Sequence, residues 1–327
     1  MSVEKKDFIF LSAVIFLIAF AAKFMGGVVP SVGGPVFGIL MGIMLSGYFK
    51  PGRQRLFKDI SKNLLQYSII LIGFELDINN VLKVGGNSLA LMVTTIAFTM
   101  LLALFLGKML KLSLNTVLLI GAGTSICGGS AIIATAAVIK AADDEIIHSL
   151  STIFLFNIIA AFVFPPIGRY LLMGDHTFGM WAGTAINDSS SVMAAGFTFS
   201  DQAGRLAAIV KLTRTLMIIP VTFLISLFYS RVCGRGGGYD VKKIFPWFIA
   251  AFAFASLTRT VLSGTVDHEV FGRIASIGKF LVIASLAAIG LNTNLSALVK
   301  NGRRPIFLGL VCWVALCAFS LALIKFF

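Results

Sequence analysis

Long stretches without a charged side chain constrain this chain more than any other feature. Nine of them are 15 residues or longer, among them 84–107 and 112–139. A helix that crosses the hydrocarbon core of a bilayer needs about 20 mostly apolar residues. Only 13% of the residues are charged, against about 25% in a soluble domain. The chain is therefore predicted to be an all-α, polytopic membrane protein, and a soluble enzyme, a disordered chain or a disulfide scaffold does not fit.

Eleven spans are predicted from these stretches and from the shorter apolar runs between them. In chain order they cover 8–24, 31–48, 60–80, 87–107, 114–138, 146–168, 177–199, 205–229, 244–262, 272–296 and 305–324. We expect one transmembrane transporter domain over 1–327. It has an extra first helix at 8–24, a first repeat of five spans at 31–168 and a second at 177–324.

The net charge of +13 mainly reflects orientation. With the N-terminus in the cytoplasm, 17 of the 27 Lys and Arg residues fall in cytoplasmic loops, seven fall outside and three fall within spans. Basic residues favour the cytoplasmic side of a membrane. We therefore expect a cytoplasmic N-terminus and an outer C-terminus in a bacterial inner membrane. No nucleic-acid partner is expected, because the basic clusters are short loops between spans.

Span five carries a segment of small and hydroxyl residues at its centre, 121–130. Glycine costs about 1 kcal/mol relative to alanine in a helix interior, and this segment has four. Close helix packing through small residues is one explanation, and a helix broken at the midplane is the other. A half-helix N-terminus with hydroxyl groups is an anion site. The candidate substrate-binding residues are Gly123, Thr124, Ser125, Cys127, Gly128, Gly129 and Ser130.

Span seven holds five consecutive polar residues, Asn187-Asp188-Ser189-Ser190-Ser191. A loop misassigned as a span is the alternative, but apolar pieces flank the segment on both sides. Charged side chains at bilayer depth are costly and commonly functional. Thr184, Asn187 and Ser189 are therefore candidate substrate ligands, and Asp188 with Asn187 is a candidate site for a coupling Na⁺ or H⁺.

Span eight contains two basic residues inside an apolar stretch, Lys211 and Arg214. At a spacing of i, i+3 they lie on one face of a helix. They either reach back to the membrane interface or point inward, towards Asp188 or an anionic substrate. Arginine offers a bidentate fork that suits an oxyanion.

Two related segments end spans three and ten, 72–83 and 289–300. They share Ile, Gly and Lys at equivalent positions. Asn292 in the second is a further candidate ligand for the coupling ion. Glu75 and Asp77 in the first are either functional or interfacial helix caps.

Short echoes suggest inverted repeats, which many transporters contain. Phe-Gly-x-x-x-Gly occurs at 37–42 and at 178–183. Pairing spans two to six with spans seven to eleven matches span five to span ten, so a second break is expected near 284–294. Ala-Gly-Thr-x-Ile also recurs at 122–126 and 182–186, and this pairing does not account for it.

Three motifs together resemble those of the YeiH-type sulfate exporter family. They are Gly-Thr-Ser-Ile-Cys-Gly-Gly-Ser-Ala-Ile at 123–132, Ala-Gly-Thr-Ala-Ile-Asn-Asp-Ser-Ser-Ser-Val at 182–192 and Val-Lys-Leu-Thr-Arg at 210–214. The resemblance implies the fold of the cation/proton antiporter and bile-acid symporter superfamily. That fold has two inverted five-helix repeats, crossing discontinuous helices and an elevator-like motion. Many members have His-Asp where this chain has Asn187-Asp188.

The predicted function is secondary transport of a small anion, sulfate or a sulfonate. The anion would bind Thr124, Ser125 and Ser130 at the broken helix, with Lys211 or Arg214 as countercharge. The partners expected are this anion and the lipid bilayer, with a homodimer left open. No metal site, resident cofactor or enzymatic activity is expected. Two alternatives stay open, a Na⁺/H⁺-type antiporter that uses Asp188 and a channel or membrane scaffold without transport.

Overall fold

The computed structural model describes residues 3–29, 33–49, 54–233, 246–263, 265–293 and 303–324. Throughout these ranges the regular structure is helical. Six helical segments are long and apolar enough to cross a membrane, one of which, Asp201–Arg231, runs through two consecutive helices, and four shorter apolar helices accompany them.

Fourteen α-helices lie in the described ranges, and a short 3₁₀ helix, Ser46–Tyr48, follows the second. They are α1 Val3–Val28, α2 Gly34–Leu45, α3 Gln54–Gly73, α4 Ile78–Met109, α5 Leu114–Ser125, α6 Gly129–Ile139, α7 Asp143–Tyr170, α8 Asp175–Ala185, α9 Ser189–Phe199, α10 Asp201–Leu216, α11 Ile218–Cys233, α12 Trp247–Leu262, α13 His268–Asn292 and α14 Arg303–Ile324.

Three of the predicted spans consist of two helices each. Span five divides into α5 and α6, span seven into α8 and α9, and span eight into α10 and α11. The break predicted near 284–294 is wrong as far as Asn292, because α13 is continuous to that residue. Residues 294–300 of the related segment lie outside the described residues. The count of eleven spans and the inverted repeat stay predictions.

Eleven of these fourteen helices pack as two groups. In the first, which we call the scaffold group, α13 packs along α2 and α3, with α1 and α12 beside them. In the second, the crossing group, α10 packs against α8 and α9, while α5 and α6 contact α7. The two groups touch where α9 meets α2 and α13.

The Phe-Gly-x-x-x-Gly echo marks one close helix contact in each group. A β carbon on Gly42 of α2 would lie 2.8 Å from the Cα of Gly290 in α13. A β carbon on Gly183 of α8 would lie 2.7 Å from the Cβ of Val210 in α10. Since small residues let helix backbones approach closely within membranes, the echo is explained by packing.

Candidate functional site

The first discontinuity lies between α5 and α6. After Ser125 the backbone leaves the helix at Ile126, with φ −118° and ψ −89°, and Gly128 has φ +68° and ψ −128°. Residues that carry a β carbon rarely adopt this backbone conformation, so glycine is favoured at position 128. The N–H of Gly128 donates to the carbonyl of Gly123 at 2.9 Å. The predicted mid-span break is confirmed at this position.

The second discontinuity lies between α8 and α9. Ile186 is extended, with φ −85° and ψ 128°, and Asp188 is the N-cap of α9. The Asp188 carboxylate accepts hydrogen bonds from the backbone N–H groups of Ser190 (2.9 Å) and Ser191 (3.4 Å), and from the Ser190 hydroxyl. The polar segment is thus a helix break flanked by two buried half-helices, not an exposed loop.

The two discontinuities meet. A β carbon on Gly128 would lie 3.5 Å from the Asn187 carbonyl oxygen and 3.5 Å from the Asp188 Cβ. We call residues 124–130 and 184–190 together the crossing. The unexplained Ala-Gly-Thr-x-Ile echo now has a structural meaning. Its last residues, Ile126 and Ile186, are the C-cap residues of α5 and α8.

Lys211 of α10 joins the two C-caps. Its ammonium donates to the Ile126 carbonyl at 2.8 Å and to the Ile186 carbonyl at 3.0 Å. The side chain is fully buried, with 0% of its surface exposed. The interfacial alternative for this lysine is therefore wrong.

Arg214 lies one turn further along α10 and is also fully buried. Its Nε donates to the Ser125 carbonyl at 2.7 Å. Its two terminal nitrogens, Nη1 and Nη2, are buried and have no hydrogen-bond partner in the described part of the chain. Among the ion pairs of the described residues, none joins Asp188 to Lys211 or Arg214. The predicted inward orientation is confirmed, and the direct pairing with Asp188 is not found.

Other buried polar groups of the crossing also lack partners within the described residues. They are the hydroxyls of Thr124 and Thr184 and both atoms of the Asn187 side-chain amide. Buried polar groups are normally hydrogen-bonded. An unpaired buried donor or acceptor costs about 1–3 kcal/mol. Several of them together indicate a place for a polar ligand.

Asn157 of α7 belongs to this cluster and is missing from the sequence prediction. It is 2% exposed, and both its amide nitrogen and its amide oxygen are unpartnered in the described structure. Its Nδ2 would lie 3.6 Å from a β carbon on Gly128. The only signal in the sequence is a single amide in an apolar run, Phe154-Leu-Phe-Asn-Ile-Ile-Ala160.

The remaining candidates take different positions. Cys127 is buried, Ser125 donates to the carbonyl of Ala122 at 3.5 Å, and Gly123 packs against Ile132. Gly129 and Ser189 are half-buried, whereas Ser130 is exposed. The role of the Ser130 hydroxyl as an anion ligand stays a prediction.

The N-termini of the two second half-helices differ. Asp188 caps α9, whereas α6 begins after Gly128 without a side-chain cap. The N-terminus of a helix bears a partial positive charge and free N–H groups. The start of α6 is therefore able to accept an anion.

Asn292 stands apart from these groups. It ends α13, where Gly290 packs on α2, and its Oδ1 is buried without a hydrogen-bond partner. The structure gives no hydrogen bond from Asn292 to the crossing within the described residues. Its role as a coupling-ion ligand, like that of Asp188, stays a prediction.

A second polar cluster lies at the turn that follows α3. Glu75 pairs with Arg205 of α10 at 2.5 Å and with Lys279 of α13 at 3.4 Å, and Lys279 also pairs with Asp201 at 2.8 Å. Asp77 is the N-cap of α4 and accepts from the N–H of Asn79 at 2.8 Å. The cap interpretation is thus confirmed for Asp77, while Glu75 links the scaffold group to α10.

Comparisons with known proteins place the chain. The family model described as conserved hypothetical protein 698 matches residues 10–309. A UPF0324 membrane protein of Fusobacterium nucleatum is 41% identical over 95% of both chains. Relatives of the same name in Streptococcus mutans and Streptococcus agalactiae are 44% and 41% identical over 94% of both chains. No solved structure matches.

These relatives cover nearly the whole chain and are described as membrane proteins. Together with the six membrane-length helices, they confirm the family resemblance drawn from the three motifs. This chain therefore belongs to the conserved hypothetical protein 698 family, the UPF0324 or YeiH-type family, and is a multi-pass membrane protein.

Proposed function

We propose that this protein is a secondary transporter of a small anion, sulfate or a sulfonate, in a bacterial inner membrane with its N-terminus in the cytoplasm. One observation carries the proposal. The two terminal nitrogens of Arg214 are buried at the crossing and have no partner among the described residues. A buried guanidinium with free N–H groups is well suited to bind an oxyanion, which can accept hydrogen bonds from two of these groups at once.

The charge balance of the crossing supports an anion over a cation. Lys211 and Arg214 are both buried there, and the nearby carboxylate, Asp188, is engaged as the cap of α9. An excess of positive charge at bilayer depth is costly unless it is compensated. A bound anion supplies that compensation, and the start of α6, which has no side-chain cap, offers further backbone donors.

Neutral donors and acceptors complete the proposed site. The hydroxyls of Thr124 and Thr184 and the amides of Asn187 and Asn157 are unpartnered and buried. They can orient the oxygens of a tetrahedral anion without adding charge. The proposed movement is an elevator-type shift of the crossing group against the scaffold group, which exposes the bound anion to each side in turn. No enzymatic step is part of this proposal.

The test is flux of labelled sulfate into proteoliposomes. We expect uptake with the wild type, none with Arg214→Gln, and reduced affinity with Arg214→Lys, which keeps the charge but loses the fork. Arg273→Gln is the matched control, because Arg273 pairs with Glu269 on the exposed face of α13 and should transport normally.

Three results would contradict the proposal. Wild-type protein that is folded but moves no sulfate or sulfonate under any Na⁺ or pH gradient would exclude these substrates. Na⁺-driven pH changes that need no anion would favour the antiporter that uses Asp188. Single-channel currents would indicate a channel.

A further inference from the structure

The ammonium of Lys211 occupies a place where two helix ends converge. The carbonyls that it binds belong to Ile126 and Ile186, the C-caps of α5 and α8. The C-terminus of a helix carries about half a negative charge, on its unpaired carbonyls. Two such ends directed at one point in a buried interior require a cation.

Carbonyls of this kind are also the ligands that bind alkali cations. In transporters with discontinuous helices, unwound carbonyls and half-helix C-termini coordinate the coupling Na⁺. Here the same two carbonyls lie 2.8 Å and 3.0 Å from a nitrogen of the chain itself. The ammonium carries the charge of a Na⁺ ion and is tethered to α10.

We propose that Lys211 is a built-in cation that fills an alkali-cation site at the crossing, so that anion binding needs no Na⁺. The part that concerns the anion rests on the proposed function. The part that concerns the cation rests only on the contacts of Lys211. The proposal also assigns different tasks to the two basic residues. Lys211 neutralises the helix ends, and Arg214, with free Nη1 and Nη2, faces the anion.

The neighbouring carboxylate has a different task from that of Lys211. Asp188 uses its Oδ2 on the N–H groups and hydroxyl at the start of α9. Its charge thus stabilises an N-terminus, whereas Lys211 stabilises two C-termini. The crossing balances its helix dipoles with its own side chains.

The first experiment uses the wild type. Sulfate affinity, measured by calorimetry on purified protein, is expected to be the same in sodium, potassium and N-methylglucamine salts. A requirement for Na⁺ would overturn the built-in cation while leaving anion transport intact. Absence of sulfate binding in every salt would instead count against the proposed function, and the cation question then falls to the second experiment.

The second experiment removes the lysine and omits the anion. Lys211→Ala leaves a space beside the two carbonyls, and we expect Li⁺, Na⁺ or K⁺ to raise its melting temperature in a saturable way relative to N-methylglucamine. The wild type should show no such rise. A folded Lys211→Ala protein that responds equally to all four cations would overturn the proposal.

Two control variants separate a cation site from a general loss of charge. Lys211→Met fills the space with an uncharged chain of similar length and should gain no cation response. Lys279→Ala removes a lysine from the Glu75 cluster, away from the helix ends, and should gain none either. If Lys211→Ala folds only when it is purified in an alkali salt, that rescue supports the cation site. If it folds in no salt, the salt dependence of sulfate binding by the wild type decides whether the proposal stands.

Discussion

At the scale of single residues, the polar side chains inside the membrane were predictable and their tasks were not. The spacing of Lys211 and Arg214 predicts one shared helix face. Both side chains are buried, in agreement with the inward alternative and not with the interfacial one. The sequence treats them as equivalent countercharges. Their different partners, two carbonyls for Lys211 and one for Arg214, depend on where two distant helices end.

Asn157 gives a prediction at the same scale. Because its amide is buried without a described partner, Asn157→Leu should leave the melting temperature unchanged or raise it, since replacing an unsatisfied buried amide removes a desolvation cost of about 1–3 kcal/mol. Sulfate affinity should fall about tenfold, the effect of one lost hydrogen bond of about 1.4 kcal/mol. Calorimetry and thermal melting of the same sample measure both quantities.

Asn115 supplies the matched control for that variant. Its Nδ2 donates to Glu145 at 2.9 Å, so Asn115→Leu should lower the melting temperature and leave sulfate affinity unchanged. The proposed role of Asn157 is wrong if Asn157→Leu loses stability but keeps its affinity.

At the scale of helices, the glycines explain both the success and the failure of the sequence prediction. Gly128 and Gly290 look alike in sequence, each in an apolar span near polar residues. Gly128 adopts φ +68° and breaks a helix, whereas Gly290 remains within α13, with the backbone of α2 against it. The sequence shows where a glycine stands. Whether that glycine breaks a helix or lets a second helix pack closely depends on the neighbouring helix.

The break itself can be tested at Gly128. A β carbon there meets nothing closer than 3.5 Å, so Gly128→Ala is strained mainly through its backbone. A non-glycine residue in such a conformation costs about 1–3 kcal/mol. We expect a clear fall in melting temperature and weaker sulfate binding, since the backbone of the crossing must shift.

Gly129→Ala is the control, because Gly129 is already the first residue of α6 and its β carbon would meet only side-chain atoms, of Leu150 at 3.3 Å and of Phe154 at 3.7 Å. It should melt within a degree or two of the wild type, by the small effects expected for substitutions without strain. Equal losses in both variants would mean that the discontinuity does not depend on the conformation of Gly128.

At the scale of the whole molecule, the crossing is buried within one helix group that contacts the other, an arrangement compatible with the proposed movement of one group against the other. Predicting eleven spans follows from hydropathy alone, because the bilayer sets the length of a span. Which spans meet does not follow, because two elements outside spans five and seven connect them. The helix α7 packs against α5, α6 and α9, and Lys211 of α10 donates to the ends of both α5 and α8. In the proposed elevator movement, the contacts between the two groups set the populations of its two states.

Glu75 gives the prediction for this scale. It joins Arg205 of the crossing group to Lys279 of the scaffold group, and all three side chains are about a quarter exposed. Glu75→Gln removes both ion pairs, which at this exposure contribute about 1 kcal/mol together. If the pairs hold one state, the population of the other should rise about fivefold.

The readout is the rate at which Cys127, in a protein without its other cysteines, reacts with a small thiol reagent. Glu269→Gln is the matched control, since it removes an exposed pair within α13 alone, and it should leave that rate unchanged. Equal rates in Glu75→Gln and the wild type would show that this cluster does not hold the two groups together.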